Sequence, residues 1–341
     1  MKTSSLAVSL LAGVCSLGVS ASPVGVSQTQ VFAAERDRDI ELVLWYPAGT
    51  GGQPVSLGEN GLFYGTPAVQ GAAVAEGKYP LVVISHGGGG NGAQFGWLAN
   101  TLVEQGFVVA APNHPGSTTG DSSAHEAVKV WLRAADVSAV LDGISGEHAL
   151  AASVDLERVG VFGFSAGGYT ALAVAGARVD EQVLRGFCDE SSKTLSDCAF
   201  LQRGGVDLHQ VDLTSAGRSN ADERVDAVFA VDPGIATALT AQSLAEIELP
   251  VALLNMGEAD RVPAALDAST AAQVIQGVQF SRIEDGHHFS LLPRCKPAGP
   301  VILKEEGELD PLCDDVEGGR PRVELHRQIA RQVSRFFDEV L

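Results

Sequence analysis

The chain has 341 residues, 45% of them hydrophobic and 19% charged, which is the composition of a packed globular protein and excludes a solvated tail or a coiled coil. Lys plus Arg number 23 against 42 Asp plus Glu, a formal net charge of -19. Most of the surface would therefore repel a phosphate backbone or an anionic membrane, and nucleic acid is not an expected partner.

Residues 1–21 read as a secretory signal. Lys2 is followed by an apolar stretch from Leu6 to Leu17 and by the small residues Val19, Ser20 and Ala21, with a cut after Ala21 and a mature chain from Ser22. Val14 before Cys15 fits a lipid-attachment box poorly, so Cys15 leaves with the signal and no stable membrane anchor is expected. Beyond the N-terminus no apolar run approaches a membrane span. The remaining Cys188, Cys198, Cys295 and Cys313 are an even set in a chain bound for an oxidising compartment, which favours disulfides over metal or redox chemistry. Of the possible pairings the local ones are favoured, Cys188 with Cys198 and Cys295 with Cys313, each stapling a loop-rich segment.

In chain order, Ile40–Tyr46 is a β-branched and aromatic strand ending at Pro47, part of an N-terminal hairpin. Leu81–Ser85 and Phe107–Ala111 are apolar runs too short for helices, the pattern of parallel strands buried on both faces, with helical spacing over 94–104 between them. Helical spacing returns at Ala124–Leu141. The strand Val159–Phe162 then leads into Gly-Phe-Ser-Ala-Gly-Gly and a helix over Tyr169–Ala177. Strands follow at Val225–Val231, Val251–Leu254 and Val278–Ile283, and an amphipathic helix over Val323–Leu341 closes the chain. This alternation predicts one α/β domain over 22–341 with a doubly wound, mostly parallel sheet. The polar, Gly- and Ser-containing stretch 186–220 breaks the rhythm and reads as a cap-like insertion.

Gly163-Phe164-Ser165-Ala166-Gly167 stands between a predicted strand and a predicted helix, the setting of a nucleophile elbow with Ser165 on a strained turn. Upstream, His86-Gly87-Gly88-Gly89-Gly90 follows the strand Leu81–Ser85. Two preorganised backbone N–H groups stabilise the alkoxide of a tetrahedral intermediate, and Gly88 and Ala166 are assigned as those donors. His86 reads as a hydrogen-bonded structural side chain, whereas His114, near the sheet edge, is a candidate for the pocket lining. The general base belongs late in the chain, in Asp285-Gly286-His287-His288-Phe289. His288 is preferred because apolar residues follow it directly, with His287 as the alternative. The acid that orients the base stands at a strand end: Asp260 after Val251–Leu254 is preferred, and Asp232 after Val225–Val231 is the alternative. Phe164, Trp97 and Phe289 either line an apolar acyl site or pack the core.

These residues resemble the α/β-hydrolases, and among them secreted bacterial proteins similar to platelet-activating-factor acetylhydrolases and to dienelactone hydrolases. The likeness rests on Leu44-Trp45-Tyr46-Pro47, Ser85-His86-Gly87, Ala111-Pro112-Asn113-His114-Pro115-Gly116, Arg133 with Asp136, Gly163–Gly168, the Asp260 loop, and His288-Phe289 followed by Cys295. The resemblance divides over the acid, since the acetylhydrolase pattern favours Asp232 and the commoner one favours Asp260. Dienelactone hydrolases carry a cysteine nucleophile where this chain has Ser165, so the resemblance implies ester rather than lactone specificity. It implies a secreted or periplasmic serine esterase acting on a small-molecule ester with no cofactor, by the triad Ser165, Asp260 and His288. A cutin- or polyester-cleaving enzyme, an acyltransferase or a non-catalytic binding protein on the same scaffold are the alternatives.

Overall fold

The computed structural model describes residues 23–146, 149–191 and 195–341; the expected signal, its cut after Ala21 and Cys15 lie outside them. Ten strands form the main sheet: β1 (Val24–Ala33), β2 (Arg38–Pro47), β3 (Gln53–Leu57), β4 (Thr66–Gln70), β5 (Tyr79–Ser85), β6 (Val108–Pro112), β7 (Val154–Phe164), β8 (Ala227–Val231), β9 (Val251–Met256) and β10 (Gln279–Ile283). Their order across the sheet is β10-β9-β8-β7-β5-β6-β2-β1-β4-β3. From β10 to β6 every pair is parallel, while β2 joins β6, and β1 joins β2, antiparallel.

The inner parallel strands β5, β6, β8 and β9 read as nearly continuous apolar runs because both faces are covered, while β10 at the edge stays half-exposed. Along β5, Leu81 and Val83 face one core, and Val82 and Ile84 face the other. The first core is closed by α2 (Trp131–Ser145) and α3 (Ala166–Val174), through residues such as Val137, Val140 and Leu172. The second is closed by α1 (Gly96–Glu104) and the C-terminal α6 (Arg322–Val340), named here after α4 (Ser196–Arg203) and α5 (Gly299–Glu306). In α6 the buried residues Leu325, Ile329, Val333 and Phe336 recur at helical spacing and form one apolar stripe.

The chain runs from β5 outward to β6 and then crosses back to β7 on the other side of β5. Such a reversal leaves a crevice beyond the carboxyl ends of β5 and β7, where open α/β sheets bind ligands. Both the glycine run after Ser85 and the elbow at Ser165 open there, and Ser85 is in register with Gly163.

The structure departs from the sequence reading in two places. The helix expected over Ala124–Leu141 is two: a turn at Ala124–Ala127, then α2 from Trp131. The cause is two packing partners, since Ala124 and Val128 join Val206 and Leu208 of the insertion in a small cluster of their own, whereas α2 packs on the sheet. The last two strands at one end of the sheet, β4 and the edge strand β3, carry mostly exposed or half-exposed residues with no apolar run to announce them. Within 186–220, a short helix at Phe187–Ser191 and α4 are joined by the disulfide Cys188–Cys198; Cys295–Cys313 is also present.

Candidate active site

Ser165 links β7 to α3 with φ 57° and ψ -121°, a conformation L-residues seldom adopt outside functional turns. Its N–H donates to the Val231 carbonyl of β8 at 3.0 Å. The flanking glycines follow from the sharpness of the turn: a β-carbon on Gly163 would lie 1.8 Å from the Gly167 carbonyl oxygen, and one on Gly167 would lie 1.9 Å from that of Ser85. No other residue fits at either place.

The glycine run comes in directly beside the serine, because a β-carbon on Gly87 would stand 3.2 Å from Ser165 Cβ. Ala166 is the first residue of α3, so its N–H has no partner within the helix and lies at the positive end of the helix dipole. Among the described residues, neither the Gly88 nor the Ala166 amide donates a hydrogen bond to another backbone group.

At the other end of the site, His288 Nδ1 lies 2.9 Å from Asp232 Oδ2. Asp232 is the acid that the fold brings to the histidine. It follows β8 directly, in a left-handed turn with φ 43°, and β8 neighbours the serine strand. Its other oxygen accepts from the Met256 N–H and from Asn255 Nδ2, each at 2.9 Å. Asn255 is itself fixed, donating to the Leu266 carbonyl and accepting from the Ala268 N–H. The first choice from sequence, Asp260, lies past the end of β9 in an exposed turn and, among the described residues, bonds to neither histidine. The fold thus pairs His288 with Asp232 and not with Asp260, because β8, which Asp232 follows directly, lies next to β7.

The pair of histidines separates cleanly. His287 caps the short helix His288–Leu291: its Nδ1 accepts from the Phe289 N–H, and its Nε2 donates to the Asp314 carbonyl at 2.7 Å. His288 packs its ring against Phe164, the residue before the serine, with 4.6 Å between centroids. The contact of His288 with Phe164 brings the histidine next to the residue that precedes Ser165. A cavity of about 530 Å³ opens beside the histidine loop, lined by Asp232, Glu258, Arg261, His288 and Phe289 among others.

Of the aromatic candidates, Phe164 is buried against Phe95 and His288, and Trp97 stacks on His326 at 4.0 Å; only Phe289 remains beside the histidine with part of its ring open. His114 does not line a pocket. It is wholly buried behind the glycine run, as is His86.

One carboxylate not singled out from sequence also reaches the site. Asp197, in the first turn of α4 and next to Cys198, places Oδ1 3.5 Å from where a Gly88 β-carbon would stand. Solvent reaches it, yet protein surrounds it closely. That desolvation lifts its carboxyl above the usual range, against the pull of His288 and with Asp310 adding to the rise. Its signal was the disulfide beside it, which fixes α4 over the crevice.

A family model of the prolyl oligopeptidase family matches residues 93–181, the segment from α1 through the elbow. Among solved structures, the chain is similar to a ferulic acid esterase from Streptomyces cinnamoneus, at 19% identity and TM-score 0.59 over 96% of this chain and 92% of that one. It is also similar to a dienelactone hydrolase from Anabaena variabilis, at 14% identity and TM-score 0.51 over 93% and 98%. A dipeptidyl aminopeptidase IV-like protein from Bacteroides ovatus gives 13% identity and TM-score 0.50, but this chain covers only 36% of its length. No curated protein matches.

Proposed function

We propose that this chain, an α/β-hydrolase by its fold, is an exported serine hydrolase of small carboxylic esters that works through an acyl-enzyme on Ser165. The observation that carries the reading is the His288–Asp232 pair at 2.9 Å, packed through Phe164 beside an elbow that holds Ser165 at φ 57°. Asp232, held from two sides by Met256 and Asn255, keeps the proton of neutral His288 on Nδ1 and leaves Nε2 free as the base. Ser165 Oγ attacks the ester carbonyl as His288 takes its proton, and the oxyanion is met by the Gly88 and Ala166 N–H groups. His288 then protonates the departing alcohol, and a water activated by the same imidazole releases the acid. Nothing in this sequence of steps calls for a metal or an organic cofactor.

Esters are favoured over peptides by how much of each relative is spanned. The two esterase and lactonase neighbours are covered over 92% and 98% of their length, against 36% for the peptidase. Export is supported by the two disulfides, which persist in oxidising compartments. The test is turnover of 4-nitrophenyl esters against matched 4-nitroanilides. We expect ester hydrolysis at least a hundredfold faster, abolished in Ser165→Ala with the fold intact; full activity in that variant would refute the assignment.

A further inference from the structure

The structure holds a second Ser–His–Asp chain, sealed from solvent and separate from the one that carries the chemistry. Ser85 Oγ lies 2.8 Å from His114 Nε2, and His114 Nδ1 lies 2.7 Å from Asp136 Oδ2. All three side chains are completely buried. Burial holds His114 well below its ordinary pKa of 6.5, so it is neutral, donating from Nδ1 to the carboxylate and accepting the Ser85 hydroxyl proton at Nε2. Arg36 clamps the same carboxylate with two bonds, at 2.6 and 2.8 Å, and reaches the Pro115 carbonyl with a third.

What this chain grips is the start of the glycine run. Ser85 is the last residue of β5, and His86 follows it. The His86 ring accepts at Nε2 from the His114 N–H at 3.2 Å and donates from Nδ1 to the Gly87 carbonyl at 2.7 Å. Arg133 donates to the His86 carbonyl, and its other nitrogens bind Ser117 Oγ and Thr170 Oγ1. Thr170 in turn donates to the Ala166 carbonyl, which ties the first turn of α3 into the same network. The Ser85 carbonyl is also the atom against which Gly167 is packed. Both segments that supply the proposed oxyanion donors are thus fastened to one buried set of charges.

Such a cluster is a poor source of stability, because taking ions out of water costs about as much as their attraction returns. Fixing one geometry is the better-attested use of buried polar networks. We infer that Ser85, His114 and Asp136 are positioning residues that hold the Gly87–Gly88 backbone in register with Ser165 and Ala166. The inference rests on the proposed hydrolase reading only for its kinetic consequence; the geometric part stands alone.

The test is Ser85→Ala, a small truncation that leaves the charged residues in place. Two quantities are read: kcat and KM on a 4-nitrophenyl ester, and backbone amide exchange over residues 86–90, where Gly89 and Gly90 donate to the Ser117 and Gly87 carbonyls. We expect kcat to fall roughly ten- to a hundredfold with KM within twofold, since a misplaced donor is felt chiefly in the transition state, and exchange at Gly89 and Gly90 to quicken. A wild-type kcat, or unchanged exchange, would overturn the inference. If the wild-type protein neither turns over esters nor labels at Ser165, the hydrolase reading fails separately, and exchange alone decides whether Ser85 holds the loop.

Discussion

At the residue scale, the assignment of the acid gives the sharpest contrast. Replacing Asp232 by Asn keeps its shape but favours the wrong imidazole tautomer, so kcat should fall by roughly 10³–10⁴. Asp260→Asn should change kcat by less than twofold, as its carboxylate lies exposed in a turn. Steady-state kinetics on the two variants separates them, and the reverse ranking would restore Asp260. Asp197 makes an independent prediction. A carboxylate beside Gly88 would oppose the charge that develops at the proposed oxyanion site. Asp197→Asn should therefore raise kcat on an uncharged ester twofold to tenfold at pH 8; a fall would mean that Asp197 has another task. Ser165 was legible in sequence because an elbow is a local constraint: glycines two residues on either side must clear Gly167 and Ser85. The acid was legible only as a choice between Asp260 and Asp232, because its position is set by strand order. The Ser85, His114 and Asp136 chain was hidden for the same reason, its members being 29 and 22 residues apart.

At the scale of elements, the apolar runs of β5, β6, β8, β9 and the second half of β7 gave themselves away because a strand buried on both faces has no polar side to interrupt it, whereas β10 at the sheet edge is largely exposed or half-buried. Strands β3 and β4 and the break before α2 were illegible, since each depends on a neighbour distant in sequence. The seat of α6 shows how tightly such neighbours fit. A β-carbon on Gly160 of β7 would lie 2.5 Å from the Phe337 ring, so the helix packs against bare backbone on the strand that carries the serine. Phe337 is fully buried, and Phe337→Ala should cost about 3–5 kcal/mol by loss of contacts and formation of a cavity. Chemical denaturation measures this. A loss below about 1 kcal/mol would show that α6 contributes little to the core.

At the scale of the whole molecule, stability should be lost in acid. His326 is buried and its pKa falls to about 3, and burial also holds His86 and His114 well below 6.5. The unfolded chain takes up protons at these histidines near pH 6.5 while the native state refuses them, so this stability is present above 6.5 and drains away as pH falls toward the folded values. Asp136, raised by burial, works the opposite way near pH 4, while Asp222 and Asp285, lowered to about 2 by Arg224 and Arg320, add to the loss below 3.8. Each neutral histidine contributes about 1.4 kcal/mol per pH unit below its unfolded pKa. Urea unfolding at pH 7.5 and 5.5 should therefore differ by about 1–4 kcal/mol, with a smaller difference in His326→Gln. Equal stability at the two pH values would contradict neutral burial of these rings.

The most direct measurement is covalent labelling of the purified protein with a fluorophosphonate, with the modified peptide mapped by mass spectrometry. The account predicts one adduct per chain, on Ser165, formed at the wild-type rate in Asp260→Asn and far more slowly in Asp232→Asn. An unlabelled Ser165, or labelling indifferent to Asp232, would contradict an activated serine at this site.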